Sequence, residues 1–201
     1  MQYYKANQLG EVQLASSAFG QAMAITPLQM CTAVAAAVNG GYLVTPHVVD
    51  KITDANGNVI EEIGANVRRQ VISESTSNVI RQIMEYEVGN GTGGGKYAYV
   101  SGYRIGGKSG TSEQLNMDRR ADGDYKKVAS FAAVLPADDP EIIVYVMLDD
   151  PNNARTDYSS LLAAPVVGNI ISEIAPYLAL PPTARTPARL WSLVTFRIWW
   201  A

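Results

Sequence analysis

One cysteine, Cys31, and one histidine, His47, stand among 201 residues. That scarcity excludes an intramolecular disulfide and any Cys/His zinc cluster, and no metal or cofactor is expected. Cys31 sits in an apolar stretch with nothing nearby to generate a thiolate, so it reads as inert core. His47 adjoins Pro46 at a strand start and reads as structural. A basic field is missing too: 16 Lys+Arg face 19 Asp+Glu, a net charge of −3. The chain therefore lacks the means to hold nucleic acid by counterion release. No basic-plus-apolar leader opens the sequence, whose first residues, MQYYKANQLGEVQ, are polar. The apolar run that closes the sequence falls short of the roughly 20 residues of a membrane span. Leu190 to Ala201 covers only 12 and is broken by Arg197. No signal or transmembrane segment is expected. What remains is 47% apolar, with 17 Gly and 10 Pro, enough to fill a core, and no internal repeat.

The composition changes at Pro181-Pro182. Residues 183–201 contain Arg185, Arg189, Arg197 and all three Trp but no acid, which leaves 13 basic against 19 acidic residues in 1–182. The expectation is a folded unit over 1–182 and an Arg/Trp-rich, disordered tail over 183–201. A Trp/Arg anchor lying in a membrane interface is the other reading of that tail.

Thr26-Pro27-Leu28-Gln29 predicts a capping-box helix start, and Asn39-Gly40-Gly41 its glycine stop; the Ala-rich run between predicts a buried helix. Val48–Thr53 and Val59–Ile63, separated by a turn containing Asn56-Gly57, predict a hairpin. Ser73–Val88 carries Val79, Ile80, Ile83, Met84 and Val88 at helical spacing. Five glycines between Gly89 and Gly95 predict a loop. Strands are expected at about Arg104–Leu115, Lys127–Leu135 and Glu141–Leu148. Only five residues join the last two, too few for a parallel crossover, so they must pair antiparallel. Ser159–Leu178 predicts an apolar helix lying across the sheet, with Pro165 near its beginning. The fold class is α+β, an antiparallel sheet packed with helices.

The chemistry concentrates in Gly102-Tyr103-Arg104-Ile105-Gly106-Gly107-Lys108-Ser109-Gly110-Thr111-Ser112-Glu113. As a pattern, Gly102 to Ser109 satisfies the phosphate-binding G-x-x-x-x-G-K-[ST], and Ile142–Leu148 ending in Asp149 imitates its Mg²⁺-binding strand. That loop needs a helix opening at Lys108-Ser109, yet Gly110-Thr111-Ser112 follows. The other reading puts Lys108-Ser109-Gly110-Thr111 on a strand. Lys108 and Gly110 then share one face, Ser109 and Thr111 the other. A lysine and two hydroxyls beside a glycine-opened strand edge suit an anionic, peptide-like ligand that adds to the sheet.

Lys-[Ser/Thr]-Gly is one of three motifs of penicillin-binding proteins and serine β-lactamases. Over about residues 15–180 the chain resembles the transpeptidase domain of class B penicillin-binding proteins. The resemblance rests on Phe19-Gly20-Gln21, Thr26-Pro27-Leu28-Gln29, Asn39-Gly40-Gly41, Gly91-Thr92-Gly93 and the Gly102–Glu113 strand. Ser130-Phe131, Pro136-Ala137-Asp138, Asp139-Pro140 and Ala163-Ala164-Pro165-Val166 follow in that family's order. It implies a partial transpeptidase fold and D,D-transpeptidase chemistry on the D-Ala-D-Ala end of a peptidoglycan stem peptide, with β-lactams acylating the same serine. Carried over, Lys108 polarises the site and supports proton transfer. Ser109 and Thr111 bind the substrate carboxylate beside Gly110, and the Thr111 N–H forms half of the oxyanion hole. The resemblance also implies a membrane-anchored, extracytoplasmic parent protein.

Two of the family's motifs are absent. No Lys has a Ser three positions before it, and no Asn has a Ser two before it. The nucleophilic Ser-x-x-Lys and the Ser-x-Asn are therefore not on this chain. The expectation is a C-terminal portion of the domain, inactive alone, its N-terminal half missing. It is either a fragment beginning at an internal Met or a half-domain remnant with a damaged 3′ end. The alternatives are a non-catalytic D-Ala-D-Ala peptide-binding remnant and a P-loop nucleotide binder. Without the missing half, one face of the sheet is expected to expose apolar surface.

Overall fold

In the computed structural model the described residues are 6–21, 24–114, 118–121, 123–151 and 156–182. The tail assigned to 183–201 lies outside them. After a short 3₁₀ turn and helix α1 (Glu11–Ala18), helix α2 (Pro27–Val38) opens on the predicted capping box. Thr26 Oγ1 accepts from the Gln29 N–H at 3.3 Å, and Gln29 Oε1 accepts from the Thr26 N–H at 2.9 Å. Contrary to expectation α2 is not buried all round. Only Ala36 and Val38 are fully inside, and Leu28 is 60% exposed, because α2 meets the rest of the protein along one side only. Cys31 is half-buried, and burial pushes its thiol pKa up.

The Asn39-Gly40-Gly41 stop is set by geometry. Gly41 has φ +95°, and a Cβ there would stand 2.0 Å from the Ile72 carbonyl oxygen. The buried Ser77 hydroxyl accepts the Gly40 N–H at 3.0 Å, so helix α3 (Glu74–Gly89) satisfies the end of α2. Between these helices lie two small antiparallel pairs, β1 (Tyr42–Thr45) with β4 (Asn66–Gln70), and β2 (Lys51–Thr53) with β3 (Val59–Glu62). The second is the expected hairpin. The Asp54 carboxylate accepts from the N–H groups of Asn56 and Asn58, and Gly57 supplies φ +85°. His47 is exposed in the link between β1 and β2.

Part of the expected glycine loop is ordered into a short 3₁₀ helix, Gly94–Ala98. Three glycines there close on Glu87, whose carboxylate accepts from the Gly95 N–H, and a Cβ on Gly93 or Gly95 would meet the Glu87 carbonyl oxygen within 3 Å. Small residues were needed for that approach.

The central sheet runs β5 (Gly106–Glu113), β6 (Lys127–Leu135), β7 (Ile142–Asp149), antiparallel throughout as the five-residue link requires. Helix α4 (Ser159–Tyr177) lays Ala163, Ala164, Val167, Ile171 and Ala175 against it, burying Phe131 and Leu135 beneath. By length and apolarity α4 would suit a membrane span, but this stripe of it is fully buried in the core. Pro165 is the helix's seventh residue, and α4 continues through it. On the other face of the sheet Val134 packs with Val38 and Met84, fixing α2 and α3 at one end and leaving the other end open.

Candidate active site

The site is built on β5. Its first two residues must be glycine for packing reasons: a Cβ on Gly107 would come within 2.6 Å of the Phe131 ring, and one on Gly106 within 3.1 Å of Met84 and Val134. The strand is thereby pulled tight onto α3 and β6. From Lys108 onward it emerges into a cavity of about 860 Å³ lined by Lys108, Ser109 and Gly110 and by Ser130, Tyr145 and Met147 of the other strands. Phe19, Gln21 and Ile25 line it as well. Phe19, at the end of α1, is 71% exposed, and Met147 of β7 is 42% exposed.

No helix begins at Lys108-Ser109. Both lie inside β5, paired with Ala132 and Phe131, so the phosphate-loop reading is overturned: the strand offers no helix N-terminus to a phosphate. Alternation places the groups as expected. Lys108, Gly110 and Ser112 share a face, and Ser130 Oγ donates to the Gly110 carbonyl at 3.3 Å. A Cβ on Gly110 would stand 3.0 Å from that hydroxyl.

The backbone alternates in the other direction. Gln114 donates its N–H to the Lys126 carbonyl, so even-numbered residues of β5 face β6. Ser109 and Thr111 then turn their N–H and C=O groups to the outer edge, where no described strand pairs. Two contacts mark that edge: Lys108 Nζ donates to the Ser109 carbonyl at 2.6 Å, and Gln21 Nε2 reaches the Thr111 carbonyl at 3.4 Å. The Thr111 hydroxyl is turned the other way, to α4, where it donates to Ser159 Oγ at 3.0 Å and accepts from the Ser159 N–H at 3.3 Å.

The described residues between β5 and β6 are tied by charge to the segment before α4. Arg120 Nε contacts Asp150 at 2.7 Å and its Nη1 contacts Asp157 at 2.8 Å, while Lys127 Nζ reaches Asp157 at 3.0 Å. Hydrogen bonds from Arg120, then Lys127, hold the Asp157 carboxyl below the usual carboxylate range. Its contribution to stability is therefore complete above the ordinary value near pH 4 and is lost as the pH falls through the lower folded-state value. Thermal unfolding from about pH 4 downward should show a steeper loss of Tm in the native chain than in Asp157→Asn; parallel curves would contradict this.

Gln21, quoted only as part of a motif, and Ser159 were given no place at the site by the sequence reading. Gln21 lies 90 residues from its contact, and Ser159 reads in sequence as an ordinary helix-start residue.

Among the described residues the arrangement is a helix-backed antiparallel sheet whose outer strand carries Lys-Ser-Gly-Thr beside a cavity. Residues 3–172 match the penicillin binding protein transpeptidase domain family, and the chain belongs to it. It is 38% identical over 180 residues to stage V sporulation protein D of Bacillus subtilis, covering 89% of this chain and 27% of that protein. It superposes with a TM-score of 0.74 on penicillin binding protein 3 of Mycobacterium tuberculosis complexed with ampicillin, at 26% identity, covering 92% of this chain and 42% of that one. Against the TP domain of Burkholderia pseudomallei penicillin-binding protein 3 the TM-score is 0.72 at 25% identity, with 92% and 52% covered. The chain spans about a quarter to a third of the length of the curated relatives it matches.

Proposed function

We propose that the chain is the strand-bearing part of a peptidoglycan D,D-transpeptidase site, with the nucleophilic serine supplied by protein outside this sequence. The observation that carries this reading is the free outer edge of β5, where Lys108, Ser109 and the backbone of Thr111 line one cavity. A D-Ala-D-Ala terminus laid along that edge adds a strand to the sheet. Its carboxylate meets the Lys108 ammonium and the Ser109 hydroxyl, where charge-assisted hydrogen bonds are strongest. Gly110 leaves room for the ligand backbone. The Thr111 N–H, at the same edge, stabilises the oxyanion that forms when a serine oxygen attacks the penultimate carbonyl. D-Ala then leaves, and an amine of a neighbouring stem takes the acyl group. That a structural relative is found complexed with ampicillin supports a β-lactam as a ligand of this domain. Cell-wall cross-linking on the outer side of the cytoplasmic membrane, in a membrane-anchored parent protein, belongs to this reading. Alone, the 201 residues bind such a ligand without processing it.

The test is a titration of the chain with an acetylated D-Ala-D-Ala peptide followed by NMR. Amide shifts should concentrate at Lys108–Thr111, and Lys108→Ala should weaken binding at least about tenfold, the loss of one charge-assisted contact. Shifts absent from β5 at saturating peptide would contradict the proposal.

A further inference from the structure

The turn that ends helix α1 aims one side chain at the outer edge of β5. Gly20, with φ +83°, gives its N–H to the Ser17 carbonyl, and the next N–H, that of Gln21, returns to the Ser16 carbonyl, both at 3.0 Å. This paired closure is a glycine-dependent helix stop, and it fixes the backbone of Gln21. From there Gln21 Nε2 donates to the Thr111 carbonyl at 3.4 Å. Lys108 Nζ covers the Ser109 carbonyl at 2.6 Å. Both outward carbonyls of the site strand are therefore taken by side-chain donors, while no described strand meets the Ser109 and Thr111 N–H groups. The edge offers donors and withholds acceptors.

With its carboxylate at Lys108 and Ser109 and its penultimate carbonyl at Thr111, the ligand runs antiparallel to β5. In such a pairing, residues that bond at all exchange two bonds, N–H to C=O in each direction. The penultimate D-Ala that accepts the Thr111 N–H must then give its own N–H to the Thr111 carbonyl, the acceptor that Gln21 occupies. We propose that Gln21 is a placeholder on the ligand edge, pairing the Thr111 carbonyl in the free protein and displaced by the amide N–H of the incoming acyl residue. Its bond is long for an N–H to oxygen contact, and α1 has no buried residue to anchor the turn, so displacement costs little. A bare strand edge invites pairing with other chains. The glutamine blunts this one and yields to a ligand that brings a better-placed donor. Gln21 thus sets how much the acyl-side N–H contributes to binding. The inference rests on the transpeptidase-site reading for the identity of the ligand.

The experiment titrates the full chain, Gln21→Met and Gln21→Ala with two ligands. Methionine keeps the side-chain length and removes the donor; alanine removes the bulk as well. One ligand is the acetylated D-Ala-D-Ala peptide, the other acetyl-D-lactyl-D-Ala, an ester in which oxygen replaces the competing N–H. Both variants should bind the amide ligand about fivefold more tightly, the scale of one hydrogen bond no longer displaced, and should gain nothing for the ester. In the native chain, nuclear Overhauser contacts between the Gln21 side-chain amide and Thr111 should be present in the free protein and vanish at saturation with the amide ligand. Unchanged or weaker amide-ligand binding in both variants overturns the proposal, as does an equal gain for the two ligands or contacts that persist at saturation. No binding of either ligand by any of the three proteins overturns the transpeptidase-site reading and this inference with it, whereas binding that the substitutions leave unchanged overturns this inference alone.

Discussion

Phe131→Ala should lower the unfolding free energy by about 3–5 kcal/mol, the range for removing a buried aromatic side chain. Phe131 is wholly inaccessible in the middle strand of the central sheet. It lies in the cluster made with the inward stripe of α4, and its ring fills the space that Gly107 leaves empty on β5. Truncation therefore opens a cavity where three elements meet, with no flexible neighbour to collapse into it. Small domains have only about 5–15 kcal/mol in total, so the variant should lose much of its cooperative transition. Met147→Ala is the matched control. Met147 is 42% exposed on the cavity side of the same sheet, and its loss should cost far less. Urea unfolding followed by circular dichroism measures both; a cost below about 1 kcal/mol for Phe131→Ala would contradict this account of the core.

How far the sequence was legible follows from the range of the interactions. Helix α2 was readable because its start carries local chemistry, Thr26 with Gln29, and α3 because Val79, Ile80, Ile83, Met84 and Val88 recur at helical spacing. The β2–β3 hairpin was readable from the Asn56-Gly57 turn, and the antiparallel pairing of β6 with β7 from a link too short for any other. The site strand was legible because the glycines around Lys108 exclude a helix.

What escaped was long-range or weakly patterned. Helix α1 has no buried residue, so no apolar stripe announces it. Strands β1 and β4 are joined across the intervening hairpin, and exposed Arg68 and Arg69 give β4 no alternation. Helix α2 looked buried because alanine fills its faces, yet an alanine-rich helix is also simply a good helix. In the site, Lys108, Ser109, Gly110 and Thr111 were found by motif. Their division between a groove face, a free edge and a helix start appears only when β6 and α4 are in place.

The pH response also has a structural origin. Asp157 is held by cations from two places, Arg120 between β5 and β6 and Lys127 at the start of β6. Protonating it therefore loosens its ties to Arg120 and Lys127 together, just before the start of α4. A charge pair confined to one surface helix would have no such reach.

Covalent labelling separates this account from its rivals by an all-or-none result. A β-lactam acylates a serine only when a base activates the oxygen and donors stabilise the oxyanion. This chain carries the Lys108–Thr111 strand but no Ser-x-x-Lys. The central claim is that a ligand-gripping edge and a nucleophile are distinct parts of the site and that the 201 residues hold only the first. The direct measurement is the intact mass of the purified chain after incubation with excess fluorescent penicillin. The account predicts an unchanged mass of 21.7 kDa and no in-gel fluorescence after denaturation, while a relative carrying Ser-x-x-Lys is labelled in the same reaction. A stoichiometric penicilloyl adduct on any serine of this chain would contradict it.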